Sequence, residues 1–376
     1  MRLPRRALIA ATAATAACLA QPSPAAVPPG LHVSGNRIVD SAGHTVVLRG
    51  VNRAGTEGGG DSSGVPVTAA EIGWLGSDHA TSWHAGAVRV LVGEAQWTGA
   101  CTALADQPST YRKRIDAEVR WITARSMVAL VDLHTGTAGC ANVGRHAMPD
   151  APVAQQFWSS VARHFAANPR VAFELYNEPH WVSEQIWRNG TPKATFQDCD
   201  PTLPLTARVV CHATQPRYRA AGMQELYDLV TKTAPGHLVV VDAYDWATAP
   251  PVQLLRGHPV YAMHPYSCPG PGACQNEGYA HANLDLLKRW VPIAKRAPVW
   301  VTEFGWPSKA GVRDVDGSGY YRETLSFLES QKPAWGWLAF AFDGSDKGAF
   351  TLTSDTSTYA PNSTGVPVYR ALRRFS

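Results

Sequence analysis

Residues that can donate, accept or share protons close a series of short apolar runs along this chain. They are Arg89 in VRVL, His134 in VALVDLH, Asn177 and Glu178 after VAFELY, His264 and Tyr266 in VYAMHPY, and Glu303 in PVWVTEF. A single polar residue at a strand end is commonly structural, but repetition after successive runs indicates a shared site. Two glutamates in such a site suit hydrolysis of a glycosidic bond, which needs one proton donor and one nucleophile or base.

The apolar runs have the character of buried β-strands, and helical segments separate them. The strand candidates are Thr45–Asn52, Ala87–Leu91, Val128–His134, Val171–Asn177, Leu238–Asp242, Val260–His264, Val299–Glu303 and Trp337–Phe342. The helix candidates are Tyr111–Arg125, Pro152–Ala167, Arg217–Ala234, Ala280–Ile293 and Tyr320–Ser330. Eight such strands predict an α/β fold, a (β/α)8 TIM barrel with the polar strand ends around one mouth. A doubly wound sheet is the alternative, but its Gly-rich phosphate loop is missing from the early strands.

A single domain over residues 27–376 is the simplest organisation of the chain. Of its 376 residues, 45% are hydrophobic and 17% charged, which supports a large core and argues against intrinsic disorder. The sequence has no low-complexity linker and no internal repeat in this region. We expect Leu31–Asp40 to be a strand, separated from Thr45–Asn52 by a Ser-Ala-Gly turn, so that a short N-terminal hairpin precedes the barrel.

The first 26 residues have the pattern of a secretory signal peptide. Arg2, Arg5 and Arg6 form a positive start, an apolar stretch too short to span a bilayer follows, and small residues and prolines complete it. We therefore expect a secreted, extracellular protein that has no membrane contact after cleavage. Removal of the segment lowers the formal net charge from +4 to +1, because 31 basic residues then face 30 acidic ones. So small a charge argues against nucleic-acid binding.

One of the seven cysteines lies in the signal segment, which leaves an even set of six in the exported chain. An even set in an exported protein predicts disulfide bonds, although the sequence alone leaves their connectivity open. Proximity along the chain favours Cys199 with Cys211, Cys268 with Cys274, and then Cys101 with Cys140. No CxxC pair accompanies a second CxxC or an HxxxH, so we expect no metal site.

Three longer motifs extend this pattern. The opening segment reads GNRIVDSAGHTVVLRGVN, YNEPH occupies Tyr176–His180, and VTEFG occupies Val301–Gly305. The two motif glutamates are 125 residues apart. In order, spacing and placement on strands, these motifs resemble glycoside hydrolase family 5, the cellulase family, whose members carry catalytic glutamates after strands four and seven. The resemblance covers essentially the whole chain after the signal segment, from about Leu31 to Phe350.

The resemblance implies a role for each polar strand-end residue. Glu303 would attack the anomeric carbon and form a covalent glycosyl-enzyme. Glu178 would protonate the leaving oxygen and then deprotonate the incoming water, with retention of configuration. Arg89 would keep Glu303 ionised through its opposite charge. Tyr266 would hydrogen-bond the same carboxylate, and His264 would orient the acid/base group.

The resemblance also implies contacts to the sugar. Asn177 would hold the 2-hydroxyl and His134 would line the same subsite. The family usually ends its eighth strand with a tryptophan beneath the sugar, and alignment of GWLAFAF places Phe340 at that position. Trp337 lies three residues earlier and should point to the opposite face of the strand. The sequence therefore leaves open whether Phe340 or Trp337 fills the stacking position.

Aromatic residues after the strand ends could stack on sugars, because pyranose faces pack on aromatic rings. These candidates are Trp97, Trp181, Trp187, Trp246 and Trp306, and for each of them the alternative is loop packing. Two acidic residues inside the strands are expected to be structural. Glu174 should be a buried, hydrogen-bonded residue below Glu178, and Asp132 should lie on the opposite face of its strand from His134.

Together these inferences predict a secreted monomer that hydrolyses β-linked polysaccharide or oligosaccharide with retention and without a metal or cofactor. Endo-β-1,4-glucanase (cellulase) is the leading activity, and endo-β-1,4-mannanase, whose strands GWLAFAF also resembles, or another β-glycanase is the alternative. A metal-dependent barrel hydrolase would need an HxH after the first strand, which Thr45–Asn52 lacks. A non-catalytic carbohydrate-binding barrel is the last alternative. The presence of both glutamates and of their polar partners argues against it.

Overall fold

The computed structural model describes residues 27–57, 67–101, 107–137, 146–195, 206, 218–267, 281–306, 317–342 and 350–375. Its strands are β1 (His32–Ser34), β2 (Arg37–Val39), β3 (Arg49–Arg53), β4 (Ala87–Gly93), β5 (Val128–Thr135), β6 (Val171–Glu174), β7 (Thr191–Thr195), β8 (Tyr218–Ala220), β9 (Val239–Asp242), β10 (Val260–Met263), β11 (Val299–Val301) and β12 (Gly336–Phe342). Eight of them close a barrel of parallel pairs in the order β3-β4-β5-β6-β9-β10-β11-β12. The predicted (β/α)8 TIM barrel is confirmed.

Helices cover the outside of this barrel. They are α1 (Ala69–Leu75), α2 (Glu94–Thr98), α3 (Pro108–Ala124), α4 (Ala151–Phe165), α5 (Glu184–Asn189), α6 (Met223–Thr233), α7 (Tyr244–Ala247), α8 (Leu284–Arg289), α9 (Val291–Ala294), α10 (Ser318–Ser330) and α11 (Val366–Phe375). Within the described ranges, none of these helices has both the length and the apolar character needed to cross a membrane.

The segment before the barrel differs in detail from its prediction. Leu31–Asp40 is not one strand, because β1 and β2 pair antiparallel within it and form the N-terminal hairpin on their own. Gly35 stands in the turn with φ +61°, a conformation that favours glycine. The hairpin buries Leu31 and Ile38 in the same apolar cluster as Leu130 and Ala262 of the barrel interior. It therefore closes the end of the barrel opposite the strand ends that carry the polar residues.

Alternation along the strands separates two apolar layers. In β4, Val88, Val90 and Val92 pack in the large cluster between barrel and helices, whereas Ala87 belongs to the interior cluster. Arg89 is on the interior face because successive side chains of a strand point to opposite sides. The apolar interior thus gives way to polar residues as each strand approaches the mouth.

Helix α4 shows how the outer layer is fixed. Pro152 lies in its first turn, where a missing N–H costs no helical hydrogen bond. The residues that it buries recur every three or four positions, from Ala151 and Ala154 to Val161 and Phe165. Trp158 donates a hydrogen bond from Nε1 to the carbonyl oxygen of Leu175, at 3.0 Å. This contact anchors the helix beside the loop that carries Glu178.

Candidate active site

The strand ends bring every polar residue of the predicted site to one mouth of the barrel. Arg89 is paired in register with Asn52 of β3, and Asp132 of β5 with Glu174 of β6. β6 and β11 end before the two predicted catalytic glutamates, so both lie on the loops that immediately follow their strands. The exposed fractions of Glu178 and Glu303 are 8% and 5%, so neither residue is completely buried.

Arg89 is fully buried at the centre of this site. Its guanidinium contacts Asn52 Oδ1 at 3.1 Å, Asn177 Oδ1 at 2.9 Å and Asp132 Oδ2 at 3.0 Å, together with the carboxylates of Glu174 and Glu303. Burial disfavours its charge, but the surrounding carboxylates outweigh burial and raise the pKa of Arg89 well above the ordinary value. Arg89 therefore supplies a permanent positive charge beside Glu303.

Glu303 has a second partner on its other oxygen. The hydroxyl of Tyr266 donates to Glu303 Oε2 at 2.9 Å, as the family resemblance implies. Burial, reinforced by the negative charge of Glu303, raises the pKa of Tyr266 well above its ordinary value, so the phenol keeps its proton. Both neighbours of Glu303 consequently favour its carboxylate form.

Glu178 has a different environment. His264 Nδ1 lies 2.9 Å from Glu178 Oε1, and the other ring nitrogen lies 3.0 Å from Thr302 Oγ1. Burial lowers the pKa of His264, but the charges of Glu303 and Glu178 act against burial and the net pKa is raised. The backbone of Glu178 has φ +50° and donates from its N–H to Asp242 Oδ2 at 2.9 Å. The acid/base candidate is thus held at both its side chain and its main chain.

The two candidate catalytic carboxyl groups lie close together. One carboxylate oxygen of Glu178, one of Glu303 and a ring nitrogen of His264 all lie within 4.8 Å of each other. Retaining glycosidases separate their carboxyl groups by about 5–5.5 Å, whereas inverting enzymes leave about 6.5–9.5 Å for a water molecule. One oxygen of Glu178 and one of Glu303 are closer than 4.8 Å, which agrees with the short separation of retaining enzymes and not with the wider gap of inverting ones.

The remaining polar candidates also belong to this network. Asn177 is bound to Arg89, and Glu174 is a fully buried partner of the same arginine, as predicted. The face predicted for Asp132 was wrong: its Oδ2 lies 2.8 Å from His134 Nδ1, and both side chains belong to the same face. Residues two apart on a strand share a face, which is why the aspartate accompanies the histidine.

The aromatic candidates at the eighth strand are resolved by burial. Trp337 is fully buried, donates from Nε1 to Glu329 Oε1 at 2.8 Å, and packs against Phe304 in the outer layer. Trp306 is 1% exposed and packs on Tyr320. Both tryptophans are placed to support the strands and present no ring face to a sugar. Phe340 is partly exposed and lies at the mouth.

Phe340 also has an aromatic link to the nucleophile candidate. Its ring packs edge-on against Phe350, with centroids 5.8 Å apart, and Phe350 packs edge-on against Tyr266 at the same distance. Phe350 was not predicted as a site residue.

The loop tryptophans fall into two groups. Trp97 and Trp187 are buried, with their Nε1 atoms bound to Ser160 Oγ and the carbonyl oxygen of Asp242, so the expectation that they could stack on sugar is corrected. Trp181 is 41% exposed and Trp246 is partly exposed. Trp246 stacks on His180 with 3.7 Å between ring centroids, and Trp181 meets Trp246 edge-on. His180 and Trp181 lie two and three residues after Glu178, and Trp246 joins them from α7.

Three contacts of the site escaped the sequence analysis. Asn52 bridges Arg89 to the carbonyl oxygen of Thr302, and Asp242 holds the N–H of Glu178. The available signal was a polar residue within or at the end of an apolar strand, as in RGVNR and VVVD. That signal indicates a buried polar network but does not identify the partners.

Two groups of side chains among the described residues could reach a common metal ion. One comprises Glu178, His264 and Glu303, and the other Glu174, Asp242 and His264. In both groups the imidazole is already engaged with Glu178 and Thr302 through hydrogen bonds.

Two predictions concern residues that lie outside the described ranges. The signal segment 1–26 is one, and the other concerns Cys140, Cys199, Cys211, Cys268 and Cys274. Cys101 is described and buried. The signal peptide and the pairing of the cysteines stay predictions.

Two carboxyl groups this close, on the loops after β6 and β11 of a (β/α)8 barrel, define the class as a retaining glycoside hydrolase. The chain matches the family described as Cellulase (glycosyl hydrolase family 5) over residues 40–344, and it belongs to that family. It is therefore an enzyme that acts on O-glycosyl bonds, and the resemblance seen in its motifs is confirmed.

Solved structures share the fold at low identity. A β-glucanase, SdGluc5_26A from Saccharophagus degradans in complex with cellotetraose, has a TM-score of 0.61 and 18% identity over 93% of this chain and 94% of that chain. The catalytic domain of Thermobifida fusca endoglucanase Cel5A has a TM-score of 0.59 and 18% identity over 92% and 97%. An endo-β-1,4-glucanase from Xanthomonas axonopodis pv. citri has a TM-score of 0.60 and 15% identity over 88% and 100%.

Proposed function

We propose that this protein is a secreted endo-β-1,4-glucanase in which Glu303 is the nucleophile and Glu178 the acid/base residue. The observation that carries the proposal is the close pair of carboxyl groups with opposite surroundings. Glu303 is bound by a buried arginine and a phenol, whereas Glu178 faces an imidazole. Catalysis by two carboxyl groups requires this division, because one must be ionised while the other carries a proton.

The first half of the reaction uses both glutamates at once. Glu303 attacks the anomeric carbon, and Glu178 donates its proton to the glycosidic oxygen as the bond to the leaving sugar breaks. Arg89 and Tyr266 orient the attacking carboxylate, and Asn177 lies beside it through Arg89. The product of this step is a covalent glycosyl ester of Glu303.

The second half releases the bound sugar. Glu178, now a carboxylate, removes a proton from a water molecule. The oxygen of that water attacks the anomeric carbon, and the bond between this carbon and Glu303 breaks. The proton taken from water regenerates the acid form of Glu178. Two displacements at one carbon return the original configuration.

The choice of β-1,4-glucan rests on the family and on the structures that share the fold, which include β-glucanases and endoglucanases. Trp181 lies three residues after the acid/base residue and Trp246 packs against Trp181, so we place both rings on the side of the leaving sugar. Phe340 lies on the nucleophile side. The strand GWLAFAF, with Phe340 at the position where the family usually has tryptophan, also resembles strands of mannan-degrading members, so endo-β-1,4-mannanase is the second candidate.

A polysaccharide panel tests the substrate. Purified protein is incubated with carboxymethyl cellulose, mixed-linkage β-glucan, mannan, xylan and laminarin, and the product sizes are measured over time. Early appearance of mixed cello-oligosaccharides from cellulose and β-glucan is expected. Preferred cleavage of mannan would replace glucanase by mannanase, and release of one product size alone would contradict endo action.

Secretion and retention need separate measurements. N-terminal sequencing of protein from the culture medium should begin between residues 20 and 27, and protein found only inside the cell would contradict export. Proton NMR of the first products should show the β-anomer before mutarotation. Initial appearance of the α-anomer would contradict a double displacement.

A further inference from the structure

A second pair of carboxyl groups lies directly beneath the acid/base residue. Glu174 ends β6 and Asp242 ends β9, and both side chains are fully buried. Their carboxyl groups lie side by side, with one oxygen of each within 4.8 Å of the other. Oε1 of Glu174 and Oδ1 of Asp242 have no N–H or hydroxyl partner among the described residues.

Two ionised carboxylates cannot form a hydrogen bond with each other, because neither has a hydrogen to donate. Buried polar atoms are nearly always paired, and two neighbouring carboxyl groups in a buried site commonly hold one proton between them. The local charge balance points the same way. Five carboxyl groups, those of Asp132, Glu174, Glu178, Asp242 and Glu303, outnumber the three groups of the network that can be cationic, Arg89, His134 and His264.

We propose that Asp242 and Glu174 share one proton, carried by Asp242, and that this pair is a positioning unit for the acid/base residue. The inference rests on the proposed role of Glu178. Asp242 accepts from the N–H of Glu178 through Oδ2 at 2.9 Å. In the proposed arrangement its other oxygen, Oδ1, which is buried without an N–H or hydroxyl partner, carries the proton that is shared with Glu174. Glu174 is in turn fixed by Arg89.

The pair contributes to catalysis through the backbone and charge that it controls. Glu178 stands at φ +50°, a conformation that costs a non-glycine residue free energy and must be held by its surroundings. The hydrogen bond from its N–H to Asp242 supplies part of that restraint. Trp187 fixes Asp242 in turn by donating to its carbonyl oxygen at 2.8 Å.

The neutral form of Asp242 also matters for His264. Its Oδ2 lies 3.6 Å from His264 Nε2, so an ionised Asp242 would place a further negative charge beneath the imidazole. That charge would favour a proton on His264 over a proton on Glu178. Glu178 needs its proton in order to donate it to the glycosidic oxygen. A protonated Asp242 accepts the backbone hydrogen bond without this effect.

The titration behaviour of the two acids agrees with this assignment. Burial raises the pKa of Asp242 well above its ordinary value, and the adjacent Glu174 raises it further. Burial acts in the same direction on Glu174, but Arg89 outweighs it and lowers the pKa of Glu174. Arg89 and Asp132 complete the charged groups facing the pair from β4 and β5.

Infrared difference spectroscopy tests the shared proton without a substrate. The full-length wild type minus Asp242→Asn at neutral pH should show the carbonyl stretch of a protonated carboxylic acid, shifted in deuterium oxide. Asp116→Asn removes an exposed, ion-paired carboxylate and is the matched control, for which no such band is expected. Absence of the band in the Asp242→Asn difference would overturn the proposal.

Kinetics test the positioning role. Asparagine can accept from Glu178 and donate to Glu174 as protonated aspartate does, so Asp242→Asn should retain at least about tenfold more kcat than Asp242→Leu, with the wild-type pH profile. Equal losses for both variants would overturn the role, since Asp242 would then act as an anion. Loss of wild-type activity on chelation, restored by a metal ion, would also overturn it, because a cation would then join the carboxylates. Inactivity on every polysaccharide would contradict the proposed function and leave the infrared result standing.

Discussion

Glu303 and Glu178 lie within one mouth but in opposite electrostatic surroundings. Glu303 is bound by Arg89 and by the hydroxyl of Tyr266, two groups that keep their protons. Glu178 faces His264, a group that can both give and accept a proton. In the proposed mechanism the same amino acid therefore has two chemical roles, and the neighbours of each glutamate distinguish them.

The difference also extends to the way in which each glutamate is held. Glu303 follows β11 directly and is fixed through its carboxylate. Glu178 lies four residues beyond the end of β6 at a positive φ and is fixed through its N–H as well. A nucleophile needs one charged geometry, whereas an acid/base group must keep its place in two protonation states. A backbone restraint serves the second requirement because it does not depend on the side-chain proton.

The largest expected effect comes from deleting the nucleophile. Glu303→Ala should lower kcat by at least about 10⁴-fold, because no covalent intermediate can form. Added azide should restore turnover and yield a glycosyl azide of inverted configuration, identified by NMR. Glu329→Ala, which removes a glutamate from the outer layer, is the control and should respond to neither test. Full activity of Glu303→Ala would refute its role.

The acid/base residue should show a dependence on the leaving group. Glu178→Gln should slow polysaccharide hydrolysis by about 10²–10⁴-fold, because the glycosidic oxygen then departs without a proton. Formation of the glycosyl-enzyme from a dinitrophenyl glycoside should be far less affected, since that leaving group needs no proton. Stopped-flow release of dinitrophenolate measures this step. Equal losses on both substrates would remove the distinction between the two glutamates.

Arg89 links the nucleophile to the buried carboxylates, so its loss should affect both activity and stability. Arg89→Met leaves Asp132, Glu174 and Glu303 without their cation, and should lower the free energy of unfolding by about 3–5 kcal/mol. Urea denaturation measures this change. Arg120→Met breaks an exposed ion pair with Asp116 and should cost less than about 1 kcal/mol. Similar costs for the two variants would show that the buried network contributes little.

The sequence predicted the parts of this molecule that depend on strand periodicity. Short apolar runs located all eight barrel strands, and the polar residues after them located both glutamates, Arg89, His264 and Tyr266. Such residues can be found because a parallel barrel brings every carboxyl strand end to one mouth. The hairpin inside Leu31–Asp40 was missed, although Gly35 and Asn36 mark its turn.

The sequence did not predict which polar side chains pair with each other, nor which tryptophan rings are exposed. Asp132 and Asp242 do not belong to any motif that marks them in the sequence. Their contacts with Arg89 and with the N–H of Glu178 depend on which strands are neighbours in the closed barrel. Tryptophans after strand ends divide into exposed and buried sets only when the loops pack. Trp187 illustrates this limit, because its ring is buried and its Nε1 donates to the carbonyl oxygen of Asp242.

The smallest expected effect tests the surface beside Glu178. Trp181→Ala should raise KM for long oligosaccharides by about 5–30-fold, because an exposed ring that stacks on a leaving sugar contributes about 1–2 kcal/mol. A short aryl glycoside does not need this ring, so kcat on it should stay within about twofold to threefold of the wild type, a change in activation free energy below about 1 kcal/mol. Phe375→Ala removes an aromatic ring of similar exposure, 39% against 41%, on the C-terminal helix, and should change neither parameter. If Trp181→Ala instead lowered kcat on both substrates equally, the ring would be holding the strained loop of Glu178. The aromatic cluster would then belong to the positioning of the acid/base residue, and the sugar-binding role would fall.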